Sequence, residues 1–414
     1  MTDWKKYKLS EIGTLARGKS KHRPRDAAHL YGGKYPFIQT GDVKNANHRV
    51  NSYSQTYSDE GLNQSKLWPK DTICITIAAN IADTAILNFP ACFPDSILGF
   101  IARKDKCNVD YIEYMLQYFQ QDVQKHSIGS VQENINLGTF QNIEFPLPSL
   151  PTQTRIASIL SSLDDKIELN RRMNQTLEQM AQALFNHYFV DNIDPDNLPE
   201  GWSQKSIVDI ISVRDGTHDS PKQNHNGYHL ITSKHIKESR IAFNQAYLIS
   251  ETDYKEINRR SKVDTFDILI TMISTVGVVH LVSENPVNFA IKNIGLFKTS
   301  ERIDLFEYIY LYLSSRLMKE FLEARTTGST QQYLTLQTLR NIPLIIPPEN
   351  VLRKFKSIVN PIIMKTKSNN DQIEKLIETR NTLLPKLMSG EIDVDKIMDE
   401  EQLIENELAD CKTA

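Results

Sequence analysis

The segment from Pro151 to Val190, PTQTRIASILSSLDDKIELNRRMNQTLEQMAQALFNHYFV, decides the architecture of this chain. Ile156, Leu160, Leu163, Ile167, Asn170, Asn174, Leu177, Ala181, Leu184 and Tyr188 follow one another in alternating steps of four and three. That is the a/d spacing of a helix seam, narrower than the apolar stripe of a globular surface helix. Pro151 stands at the start and no glycine falls inside, so the spacing predicts one long helix over 151–190.

A helix with one apolar seam needs a partner seam. Adding 199 to each position gives Phe355, Val359, Ile362, Thr366, Asn369, Ile373, Leu376, Arg380, Leu383 and Leu387, most of them apolar. A second long helix is therefore predicted over 350–390. Pro361 is expected to kink it, and Thr366 and Arg380 to interrupt its seam. Two matched seams pack most simply on each other as an antiparallel coiled coil. Asn170 and Asn369 fall at the same step of the pattern. Buried, they would fix helix register; exposed, they would be ordinary surface.

The helical echo ends a longer duplication. Trp4 opens the first half and Trp202 the second, followed by KKYKLSEI and SQKSIVDI. Polar loops come next, Arg17 to Gly33 and Arg214 to Gly227, and then strand patterns at 35–43 (YPFIQTGDV) and 228–236 (YHLITSKHI). Buried strands follow in DTICITIAA from Asp71 and DILITMIST from Asp267; LGFIA at 98–102 matches IGLFK at 294–298. Short helices are expected at 111–119 and 308–316. Gly129, Ser130, Gln132, Asn142 and Ile143 recur as Gly328, Ser329, Gln331, Asn341 and Ile342. A period near 200 residues means duplicated domains rather than a solenoid. The expected organisation is a mixed α/β domain at 1–150, a helix at 151–190 and a turn-rich linker at 191–201. A second α/β domain at 202–349, a helix at 350–390 and an acidic tail at 391–414 complete it. The halves are expected to be related by a pseudo-two-fold axis.

Composition bounds the function. Cys74, Cys92, Cys107 and Cys411 show neither metal-ligand spacing nor a disulfide pattern. No apolar run is long enough for a membrane span, so a soluble cytoplasmic protein is expected. The net charge of −3 is misleading, because residues 391–414 alone carry −7 and leave residues 1–390 at +4. The tail is expected to be mobile or partner-facing. A mildly basic body permits nucleic acid without requiring it.

GTLARGKS at 13–20 matches the phosphate-cradling loop formally. Such a loop follows a buried strand and opens a helix, whereas WKKYKLSEI precedes this one and Pro24 follows it. The same residues make a basic arm. Arg17, Lys19, Lys21, Arg23 and Arg25 alternate, with His22 among them. That spacing suits phosphate contacts along a duplex, and Arg can also read guanine. The second half instead offers Arg214, His218, Asp219, Lys222, Gln223, Asn224 and His225, a set suited to base edges. Gln39, Thr40 and Lys234, in the strand patterns that follow the loops, join these candidates. No methyltransferase tetrad, cofactor turn or nuclease cluster is present. Asp164–Asp165 is expected to be salt-bridged surface, because neighbouring residues on a helix point apart.

Two helix segments carry a family resemblance, IELNRRMNQTLEQMAQALFNHYFV followed by LPEGW and LIETRNTLLPKLMSGEI, and the strand entries GGKYPFIQTGDV and DGTHDSP…GYHLITSKHI add to it. With the duplication, they resemble the specificity subunit of type I restriction–modification systems over residues 1 to about 390. The resemblance implies a non-catalytic subunit with two target recognition domains, each reading one half of a bipartite asymmetric site in double-stranded DNA. It implies that the helices set the gap and dock two methyltransferase subunits, which bind S-adenosylmethionine and methylate adenine. ATP- and Mg-using restriction and translocase subunits would join them, and this chain itself would bind no cofactor. A nucleotide hydrolase using 13–20 and a coiled-coil protein scaffold are the alternatives. ATP binding by the isolated chain would favour the first, and indifference to DNA sequence the second.

Overall fold

The computed structural model describes residues 4–78, 82–120, 137–191, 193–237, 240–327 and 332–396. Two helices of 40 residues each, Leu150–Phe189 and Glu349–Met388, run through it. Ser149 caps the first, accepting a hydrogen bond from the Thr152 N–H at 3.3 Å. Beyond the second stands Gly390 at φ +71°, where a side chain would be strained. Pro361 does not break the second helix; it lies on the exposed face, where the ladder bond it removes costs least.

Two compact units divide the chain, one made of residues 1–168 and 374–414, the other of 169–373. Each contains stretches of both helices, packed on one another and under the unit's own sheet. In the first unit the largest sheet has five strands, in the order Gly13–Arg17, Ile97–Ala102, Thr72–Thr76, Thr84–Leu87, Arg49–Val50. All neighbours are antiparallel except the last pair. Every residue of Thr72–Thr76 and Thr84–Leu87 is buried, so both faces of these two strands are covered. The core joins Phe100, Tyr111, Phe140 and Phe145 to Ile156 and Leu160 of the first long helix and Leu387 and Met388 of the second.

The second unit repeats this plan. Val213–Asp215, Ile294–Phe297, Ile268–Thr271 and Val279–Leu281 form an antiparallel sheet in that order, and a three-stranded sheet accompanies it. Phe185 and Phe189 pack on Phe355, Val359 and Tyr308. In both units a strand near the start pairs with the strand that leads into the long helix: Lys5–Lys8 with Glu144–Leu147, and Ser203–Ser206 with Pro343–Ile346. Those pairs close each globular part onto its helix. Trp4 and Trp202, the openings of the two halves, each pack on their own unit's core.

The structure corrects several expectations. The strand expected at 35–43 ends at Phe37, and Thr40–Asn45 is helical because Asp42 accepts from the Gln39 N–H at 2.8 Å, closing a capping box. The strand expected at 228–236 ends at Ile231, and a turn of 3₁₀ helix at Ser233–His235 follows, closed by the same device at Thr232. Phe185 and Phe189 are buried where the seam named Leu184 and Tyr188, which are only half-buried. A straight helix advances 3.6 residues per turn, so a strict 3.5 repeat drifts off the contact line. Asp164 is 3 % exposed rather than surface, and Arg380, expected to interrupt the seam, is its ion-pair partner. The start of the acidic tail is packed: Val394 is buried and Asp395 pairs with Arg155 at 2.6 Å. Residues 397–414, and the repeated pairs Gly129/Gly328, Ser130/Ser329 and Gln132/Gln331, lie outside the described residues.

Candidate nucleic-acid interface

Both polar arms leave their sheets by the same construction. The first begins at Gly18, just past the strand Gly13–Arg17, with its N–H donating to the Ile97 carbonyl at 2.8 Å. The second begins at Gly216, just past Val213–Asp215, with its N–H donating to the Ile294 carbonyl at 2.9 Å. A Cβ on Gly18 would lie 2.2 Å from the Pro94 carbonyl oxygen, and one on Gly216 2.4 Å from that of Ile291. Only glycine fits such backbone-on-backbone contact. The strand at 13–17 pairs antiparallel with Ile97–Ala102, and the arm, not a helix, follows it. The phosphate-cradling loop that GTLARGKS matches is therefore not formed.

The first arm is pinned by its backbone and leaves its side chains outside. The Lys21 and His22 N–H groups both donate to Gln64 Oε1, at 2.6 and 3.0 Å, and Ser65 Oγ donates to the Lys19 carbonyl at 2.7 Å. Arg17 and Lys21 are exposed and Lys19 half-exposed. Among the described residues none of the three forms an ion pair. Arg23 turns inward to the carbonyls of Ser20 and His22, and Arg25 is held by both oxygens of Asp95 at 2.8 and 2.9 Å. The five alternating charges are thus not equivalent: three stay available to a polyanion and two also brace the arm. Gln39 lies at the head of the Thr40–Asn45 helix, with its side-chain amide donating to Gln55 at 2.6 Å.

The second arm is wired differently. Asp215, buried at the end of its strand, pairs with Arg260 and with His218 Nε2, the latter at 3.1 Å. His218 Nδ1 faces Asn293 Oδ1 at 2.7 Å. Lys292 donates to Ser220. Asp219 and Thr217 close a turn on one another, and Asn224 Oδ1 accepts from the His225 N–H at 2.8 Å. Lys222, Gln223, Asn224, His225 and Lys234 are exposed, whereas Arg214 is drawn to the Arg260 carbonyl and to Glu301. Polar, hydrogen-bonding side chains on a held backbone can meet base edges with little further ordering.

A domain described as the type I restriction modification DNA specificity domain matches residues 1–179 and again 199–379. The chain belongs to that family. The MjaIX type I restriction enzyme specificity subunit of Methanocaldococcus jannaschii is 27% identical over 421 residues, covering 95% of each chain. The HindI specificity subunit of Haemophilus influenzae is 25% identical over 485 residues, covering 95% of this chain and all of that one. The crystal structure of the S subunit from M. genitalium shares the fold, with a TM-score of 0.56 at 16% identity over 93% of this chain and 96% of that one.

In this specificity subunit, the two arms are held by more residues than the sequence pointed to. Asp95, Asp215, Arg260, Lys292 and Asn293 complete the two arms, yet Arg260 stands 45 residues from the arm it meets. Asn293, at φ +53°, was the one of these with a local signal, an Asn next to a Lys between two buried strands. The specificity subunit also carries a polar centre in its helix seam. Asn170 and Asn369 are 1 % and 0 % exposed. They do not bond each other: Asn170 donates to Gln372 at 3.3 Å, and Asn369 donates to Asn174 at 2.8 Å, which itself donates to Asn370 at 2.7 Å. Among the described residues no helix is long and apolar enough to cross a membrane.

Proposed function

We propose that each globular unit of this specificity subunit reads one half of a bipartite, asymmetric site in double-stranded DNA, with residues 1–150 and 202–349 as the two recognition domains. The long helices, 151–190 and 350–390, set the unspecified gap and dock two methyltransferase subunits. The single observation that carries this is the pair of arms. They leave equivalent strands through equivalent glycines and present different side chains, Arg17, Lys19 and Lys21 in one and Lys222 to His225 in the other. Similar scaffolds with different contents are what two different half-sequences require. The Asn seam, buried at some cost in stability, is the register device of the helix pair. S-adenosylmethionine, and the ATP and Mg of translocating restriction subunits, belong to the partners. Replacing residues 1–150 by another domain of the same kind tests the reading. Methylome sequencing should then show one half-sequence changed and the other intact; a change in both, or in neither, would overturn it.

A further inference from the structure

Within the unit formed by residues 1–168 and 374–414, one buried carboxylate ties four segments together. Asp164, on the first long helix, receives Arg380 Nη1 of the second at 2.6 Å, Asn47 Nδ2 at 2.7 Å and the Tyr114 hydroxyl at 2.7 Å. Arg380 Nη1 also donates to Asn47 Oδ1 at 3.0 Å, closing a triangle. The Tyr114 ring stacks on His48, centroids 4.4 Å apart and planes 3° from parallel. His48 in turn lies between Glu113 at 2.6 Å and Asp110 at 2.9 Å, and Arg49 between Asp110 and Asp71.

Asn47 stands two residues beyond the Thr40–Asn45 helix, whose head carries Gln39. Asp164 and Arg380 therefore tie both long helices to the segment that directly follows this helix. Apolar packing is non-directional and tolerates small rotations. A charged node accepting three donors on fixed lines does not. The second unit has no such node at the equivalent place: 199 residues on from Asp164 stands Ile363. There the globular part meets the helix through Asn360 and Lys356 on Glu307, and through Lys367 on the Ser283 carbonyl.

We propose that Asn47, Asp164 and Arg380 are positioning residues: they hold the first recognition domain at one angle on its helix pair, and so restrict the site to a single gap length. The inference rests on the reading that the helices set the gap. A loosened angle leaves each half-sequence readable but spreads the distance between them.

The test uses the specificity subunit assembled with its methyltransferase subunits. Two variants are compared with the parent: Asn47→Ala, and Asp164→Leu with Arg380→Met, changed together so that neither charge is left buried alone. Binding is measured on duplexes with both half-sequences at the native gap and at one base pair fewer or more. Preference for the native gap should fall about tenfold in the double variant, the worth of one hydrogen bond to a charged group, while both half-sequences stay essential. A merely structural role would weaken all duplexes by one factor; an unchanged preference in either variant overturns the proposal. Asn47→Ala removes a half-exposed side chain and keeps the ion pair, so it reports even if the double variant does not assemble. A matched lengthening of both long helices is the control. If it leaves the preferred gap unchanged, the helix reading itself fails; if it moves the gap while the variants keep their preference, only this proposal fails.

Discussion

Lengthening the helix pair has an outcome that can be worked out in advance. Asn170 faces Gln372, and Asn174 faces Asn369 and Asn370, so the pairing places Arg172 opposite Asp371. Four residues inserted after Arg172, and four after Asn370, lengthen both partners at the same level. Each insertion adds about 6 Å at a rise of about 1.5 Å per residue, on helices now about 60 Å long. Four residues also turn the helix about 40° beyond a full turn. On DNA, about 6 Å corresponds to roughly two base pairs at about 3.4 Å each, and about 40° to roughly one at 10–10.5 base pairs per turn. Both half-sequences should therefore persist while the gap widens by about two base pairs, shifted by about one either way by the rotation. Methylome sequencing of a host carrying the variant and its methyltransferase reads this directly. An active complex with the parental gap would refute the ruler. If methylation is lost, binding to duplexes graded in gap length gives the same answer.

Other outcomes follow from the two units. Lys19→Ala with Lys21→Ala should lower the slope of log affinity against log salt by about 1.8, at about 0.9 per phosphate contact. Specific and non-specific DNA should weaken alike, and a selective loss of the specific site would show base contact instead. Phe185, 1 % exposed among Phe189, Tyr308 and Phe355, should cost about 3–5 kcal/mol on truncation to Ala; urea unfolding that shifts by less than about 1 kcal/mol would contradict its place in the core. Burial alone would lower the pKa of His48, but the charge of Glu113 and the hydrogen bonds that the imidazolium donates to Asp110 and Glu113 outweigh it and push the imidazole up from 6.5 to about 9. Its stabilisation, on the order of 3 kcal/mol, is complete below about pH 6.5 and lost as pH rises through about 9. Asp110 behaves in the opposite sense: despite burial, His48 and Arg49 hold it below 3.8, so its contribution is present above that value and lost in acid. Urea unfolding from pH 6 to 9.5 should show a steeper alkaline decline in the parent than in His48→Gln; parallel curves would contradict the buried imidazolium.

The linear sequence determined the parts that depend on local periodicity. A 4–3 seam with no internal glycine is enough to specify a long helix, and repeating it 199 residues later specifies a second. Runs built of β-branched and apolar residues, such as Thr72–Thr76, mark central strands because both of their faces are covered. The duplicated order, and with it the two arms, was legible for the same reason. Tertiary structure decided what those periodicities leave open. Leu184 and Phe185 are neighbours in sequence, and only the direction of the surrounding core selects Phe185 for burial. Arg25 looks as free as Lys21 until the fold brings Asp95 to within 2.8 Å across 70 residues. Asp164 looks like half of an exposed acidic pair until Arg380, Asn47 and Tyr114 converge on it from three other segments. A charge is buried or exposed, bound or available, according to partners distant in sequence. Those partners are set by long-range packing, which no local pattern encodes.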